Sequence, residues 1–190
     1  MKTLAGWMLL LVLLSDFAAA QSRRIDFVPD ETAQQPETYE SAAIDADGNL
    51  SITTSDFRLI TVPREGKQSS FRAPIVSRDR TSVGALAEYP NCCTSYDIPL
   101  QLVVYSKGGV HRFKGVELAM LEWHFADDGS RVAYGQESVH FSCETHYELR
   151  DIQSERLIDS AKVSVPCGQR PAPPPATNPP WVKALKAAPR

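Results

Sequence analysis

The 190 residues carry 20 basic and 23 acidic side chains, a net charge of −3. That balance leaves no electrostatic footprint for nucleic acid. Once an export signal is removed, about 170 residues remain, enough for one domain that buries roughly two-thirds of the surface of its unfolded chain.

The chain opens with that signal. Lys2 supplies the positive start, Trp7 to Leu14 the apolar run, and Ala18-Ala19-Ala20 before Gln21 the small-residue cleavage site. The run falls far short of the roughly 20 residues that span a bilayer. The expectation is a cleaved signal over 1–20, no transmembrane segment afterwards, and a secreted or periplasmic protein. Between Ile25 and Asp47 there are acidic residues (Asp26, Asp30, Glu31, Glu37, Glu40, Asp45, Asp47) but no Lys or Arg. With little there to pack, residues 21–44 read as an acidic, loosely ordered arm.

A β-repeat domain is expected over 45–168, because one phrase occurs three times. Its fullest copy is Phe125-Ala126-Asp127-Asp128-Gly129-Ser130-Arg131-Val132-Ala133-Tyr134. A second runs from Ser77 to Ala85, and a weaker third from Asp45 to Ile52. Each is a tight polar turn launching a strand, and recurrence of that kind marks a repeat architecture. In the last repeat, Leu121, Trp123 and Phe125 alternate with Glu122 and His124 as in a half-buried strand. Asp127-Asp128-Gly129 then turns the chain, with glycine free to take positive φ. Strands over Arg131–Glu137, His146–Ile152 and Arg156–Val165 complete four. The middle repeat uses Thr81–Tyr89, Ile98–Tyr105 and Val110–Phe113, so that Val83 falls on Val132, Tyr105 on Ile152 and Val110 on Leu157. The first uses Phe57–Val62, a turn at Arg64–Lys67, and Phe71–Val76. Trp123, Tyr134 and Tyr147 read as core residues, and His111 and His124 as ordinary strand residues. Residues 169–190 form a proline-rich tail, largely polyproline II from Arg170 to Pro180, with a short basic amphipathic piece at Trp181–Lys186.

The Asp-Asp-Gly-Ser-Arg-Val-Ala-Tyr phrase resembles the turn-strand phrase of TolB-type and other WD-repeat-like β-propellers of bacterial exported proteins. Tyr147-Glu148-Leu149-Arg150-Asp151-Ile152, followed by a polar turn, is similar to the next strand pair of such blades. The likeness covers residues 45–165 and departs from the family in two ways. No Trp-Asp dipeptide closes a blade, and about three repeats fall short of the four to eight that close a ring. The fold expected is all-β, with antiparallel propeller-blade-like repeats forming either an incomplete propeller or a small β-sandwich. Two chains could instead complete the ring, which would make a homodimer. The resemblance implies protein binding or scaffolding, with no catalytic residues to carry over.

The cysteines form the one constellation. Cys143 lies in the loop between the second and third strands of the last repeat, and Cys92 and Cys93 lie in its counterpart one repeat earlier. Cys167 follows the final strand toward the same end. In an oxidising compartment this reads as disulfides, with three pairings open and cross-bonds from Cys92 and Cys93 favoured over a bond between neighbours. The binding rim would then include Glu88, Tyr89, Tyr96 and Glu144. The alternative is a metal or thiol-redox loop at His140-x-x-Cys143-x-x-His146. No Gly-x-Ser-x-Gly elbow, His-Glu-x-x-His or phosphate loop is present. Paired carboxylates among Glu88, Asp97 and Glu144 would be the one route to acid/base hydrolysis. The reading is an exported, non-catalytic interaction or scaffold module with no cofactor, meeting a protein or cell-envelope partner. Asn49-Leu50-Ser51 is a glycosylation acceptor only in a host that modifies it.

Overall fold

A computed structural model describes residues 37–92, 95–115, 119–138, 143–164 and 178–187. The signal, most of the acidic arm, His140, Cys93 and Cys167 lie outside the described residues. Among the described residues eleven strands form three antiparallel sheets, each a meander of consecutive strands. The first holds β1 (Tyr39–Ile44), β2 (Leu50–Thr54) and β3 (Leu59–Val62). The second holds β4 (Ser70–Val76), β5 (Ser82–Tyr89), β6 (Ile98–Ser106) and β7 (Gly109–Lys114). The third holds β8 (Ala119–Ala126), β9 (Arg131–Glu137), β10 (Glu144–Asp151) and β11 (Leu157–Ser164). One helix follows, α1 (Pro180–Ala187). The all-β expectation holds.

The recurring phrase is the turn between the first two strands of every sheet. Each copy bends the chain through left-handed backbone: Gly48 at φ 79°, Arg80 at 62°, and Asp127, Asp128 and Gly129 at 48°, 55° and 105°. In the first two copies a carboxylate stabilises the turn by accepting backbone N–H groups. Asp45 Oδ1 accepts from the N–H groups of Asp47 and Asn49, and Asp79 Oδ1 from that of Thr81.

Two layers of side chains join the sheets, and a third seats the helix. Tyr39, Leu50, Ile52 and Val62 pack against Phe71, Val83, Ala85, Ala87 and Val103. Leu86, Leu102, Val104 and Phe113 pack against Met120, Trp123, Val132, Tyr134 and Ile152. Beyond the third sheet, Ala133, Tyr147, Leu149 and Val163 receive Val182 and Leu185 of α1. The second sheet is therefore covered on both faces, which is why β5 is apolar in near-continuous sequence rather than alternating.

Several expectations need correction. Strand β1 lies inside the stretch read as a loose arm; Tyr39 is fully buried and Ala42 and Ile44 pack on the same layer, with a bulge after Tyr39 that hides the alternation. Residues 70–76 do not close the first repeat but open the second sheet, because the Ser77–Thr81 turn folds them directly onto β5. Tyr105 corresponds to Arg150 rather than Ile152, since Val83 pairs with Tyr105 as Val132 pairs with Arg150. Val110 and Leu157 do match, each pairing with one of these two. A bulge between Met120 and Glu122 leaves Leu121 51% exposed and buries Met120 instead. The tail's amphipathic piece is α1, held by Trp181 Nε1 donating to Asp159 Oδ2 at 2.9 Å and by Lys186 Nζ 5.2 Å from the centre of the Tyr147 ring.

The sheets do not share one polarity. Gln153 Nε2 donates to Ser106 Oγ at 3.1 Å, so the β10–β11 turn meets the β6–β7 turn, and the second and third sheets run in the same sense. The first sheet is inverted. Tyr39 N–H donates to Arg80 O at 2.8 Å and Phe71 N–H to Gly48 O at 3.2 Å, placing its Asp-Gly turn at the far end. The second and third sheets thus stack like neighbouring blades, while the first closes on the second as in a sandwich.

Burial leaves a signature in the tyrosines. It pushes the Tyr39 hydroxyl up to about 12 from 10.0, with Tyr105 and Glu37 adding to the effect. Tyr134 and Tyr147 move upward for the same first reason, each with a carboxylate close by. Folding favours the neutral phenols, so their contribution is intact below the ordinary tyrosine range and is lost as pH climbs through the raised values. These three phenols should ionise together with loss of near-ultraviolet circular dichroism in an alkaline titration. Their ionisation in a still-folded chain would contradict the burial.

Candidate functional site

Because the second and third sheets run in the same sense, the β5–β6 and β9–β10 loops share one end of that pair. Cys92 is exposed in the first loop, and Cys143 stands at the head of β10. Tyr96 is 61% exposed in the β5–β6 loop. Glu88 and Tyr89 finish β5, and Glu144 begins β10.

The carboxylates here are matched to cations. Glu88 Oε1 lies 3.3 Å from Arg72 Nη1, and Glu144 Oε1 lies 2.9 Å from Lys162 Nζ and 3.9 Å from His146 Nε2. The Lys162 contact lowers the Glu144 pKa. Glu88 and Glu144 are each engaged by a cation, an arrangement unlike the facing acid and base that glycoside hydrolysis needs. His146 lies on β10, while His140 is outside the described residues. Among the described residues no three His, Cys, Asp or Glu side chains gather as metal ligands.

The opposite end holds a constellation that the sequence reading passed over. Ser106 Oγ lies 3.3 Å from His111 Nε2, and His111 Nδ1 lies 3.3 Å from Glu155 Oε1. This is the connectivity of a serine-histidine-acid triad. The serine's other contacts decide against nucleophilic use. Its oxygen accepts from the Gly108 N–H at 3.3 Å and from Gln153 Nε2 at 3.1 Å. A hydroxyl has one proton and two lone pairs; here all three are engaged, and Ser106 is buried. With its ring proton on Nδ1, His111 satisfies both neighbours, and the group acts as a clasp between the β6–β7 and β10–β11 turns.

A second polar group lies between the same two sheets. Tyr134 Oη donates to Glu148 Oε2 at 2.6 Å, and Arg150 Nε donates to the same oxygen at 2.6 Å. Arg150 Nη1 also reaches Glu155 O at 3.1 Å, tying this ion pair to the turn that carries the clasp. Glu148 and Tyr134 are buried. The only hint of either group in the sequence is the charged pair Glu148 and Arg150 inside a strand otherwise built for burial.

No family model matches this chain, and no curated protein matches it. Among solved structures, hydrazine synthase from Kuenenia stuttgartiensis is similar at 15% identity, with a TM-score of 0.42, over 68% of this chain. This chain spans about a third (34%) of that protein's length. Among the described residues no helix is long and apolar enough to cross a membrane.

Proposed function

We propose that the chain is an exported, non-catalytic interaction module, and that the loop end of the second and third sheets meets a protein or cell-envelope partner. The shared polarity of those sheets carries this reading, because it gathers Cys92, Tyr96 and Cys143 at one end. In this reading Cys143, at the head of β10, takes part in disulfide bracing at that end. Tyr96 offers the partner a large amphipathic ring at small entropic cost. The saturated hydroxyl of Ser106 and the cation-matched Glu88 and Glu144 favour this reading over nucleophilic or paired-carboxylate chemistry at those three residues.

The test is co-sedimentation of the purified chain with a cell-envelope fraction of its host. Tyr96→Ala is expected to weaken retention roughly tenfold, reductant to weaken it as well, and a chelator to leave it unchanged. Intact mass should fall by two hydrogens for every disulfide. Co-purifying metal with reduced thiols, and binding lost to the chelator, would transfer the function to a His140, Cys143 and His146 metal or redox loop.

A further inference from the structure

Strand β3 is a third strand without a fourth. Its counterparts β6 and β10 are interior, each covered by one more strand, whereas β3 ends its sheet. The strands that do end the other two meanders carry charges against unwanted pairing: Arg112 and Lys114 on β7, and Asp159 and Lys162 on β11. Strand β3, Leu59-Ile60-Thr61-Val62, carries none. Its outer face is open, with Leu59 68% exposed.

The ladder fixes which groups face outward. Thr54 N–H donates to Arg58 O, so by antiparallel alternation Ile60 and Val62 bond inward to Ile52 and Leu50. The N–H and C=O groups of Leu59 and Thr61 point away from β2. Beside them, Phe57 occupies the left-handed region at φ 62° while 87% exposed. An aromatic side chain there is strained, and packing within this chain does little to compensate.

We infer that β3 pairs with β3 of a second copy of this chain, antiparallel about a two-fold axis at Ile60. That register is self-complementary. Leu59 faces Thr61 of the copy and Thr61 faces its Leu59, each pair exchanging both outward hydrogen bonds. One residue further along Arg58 comes opposite Val62 of the copy, and after it Phe57 comes opposite Pro63. Beyond that, Asp56, which pairs with Arg58 of its own chain at 2.7 Å, approaches Arg64 of the copy, opposite charges brought together twice by the symmetry. The paired β3 strands join two three-stranded sheets into one. The β2–β3 turn lies at the end away from Cys92 and Cys143, while Arg64 at the other end of β3 reaches Ser69 O.

Sedimentation equilibrium of the purified chain across a concentration series tests the inference. The expected result is a doubled mass at high concentration, and a monomer at the same concentrations for Leu59→Lys and for Thr61→Pro. The proline removes only an outward N–H, and circular dichroism should report an unchanged fold in both variants. Amide exchange at Leu59 and Thr61 should slow roughly tenfold across the association range. A dimer that survives both variants would overturn the inference, as would a monomer at every concentration. Concentration-independent protection of those two amides would also overturn it, placing another strand of the same chain in the slot.

Discussion

Glu148→Ala is expected to cost about 3 kcal/mol of stability, because it strands a charge rather than merely deleting a contact. The side chain of Arg150 is 24% exposed and that of Glu148 only 6%. Without the carboxylate, the guanidinium keeps the Tyr134 oxygen at 2.8 Å and the Glu155 carbonyl but no counter-charge. Urea unfolding should show the loss as a shifted midpoint with an unchanged slope. Tyr134→Phe, which leaves the ion pair intact, should cost about 1 kcal/mol. Equal losses for the two variants would show that the pair contributes through geometry and not through charge.

Gly84→Val should be comparably damaging for the opposite reason. Gly84 sits in β5 beneath the Trp123 indole, where a Cβ would overlap the ring, with Phe125 also within contact distance. The two rings lock each other edge to face, 5.3 Å between centres, so Trp123 cannot swing aside without displacing Phe125. Overpacking of this kind costs about 1–3 kcal/mol, and a β-branched side chain entering so filled a layer points to the upper end. Trp123→Leu alone should cost about 3 kcal/mol by leaving a cavity. The double variant should lose less than the sum, since the smaller leucine makes room for the valine. Strict additivity in thermal unfolding would show that Gly84 and Trp123 do not share one space.

How legible these features were depended on how local their causes are. The third sheet could be read strand for strand, because Asp127-Asp128-Gly129 and Gln153-Ser154-Glu155 mark its turns and the apolar alternation lies between them. The same turn chemistry located the heads of β2 and β5. Strand β1 was hidden by acidic neighbours and by its bulge at Tyr39. The placement of residues 70–76 turned on whether a strand belongs to the turn before it or the one after it, and spacing alone leaves both open. The inversion of the first sheet rests on contacts such as Tyr39 with Arg80 and with the Tyr105 ring 5.6 Å away, which no local pattern encodes. The Ser106–His111–Glu155 clasp joins residues from two repeats through single hydrogen bonds, and Glu155, at φ 54°, reads in sequence as an ordinary turn residue.

The consecutive order of strands within each sheet also bears on how the molecule holds together in time. No ladder passes from one meander to another, so each sheet closes its backbone bonds over short chain separations, a pattern that favours early and rapid formation. The all-or-none character of the whole must then come mainly from side chains, the two apolar layers, the clasp and the buried ion pair, with isolated backbone bonds such as Tyr39 N–H to Arg80 O adding to them. The middle meander, gripped on both faces, is where the two layers meet. A lesion there uncouples neighbours that would otherwise open together, whereas a lesion on the outer face of the first sheet remains a private matter of three strands.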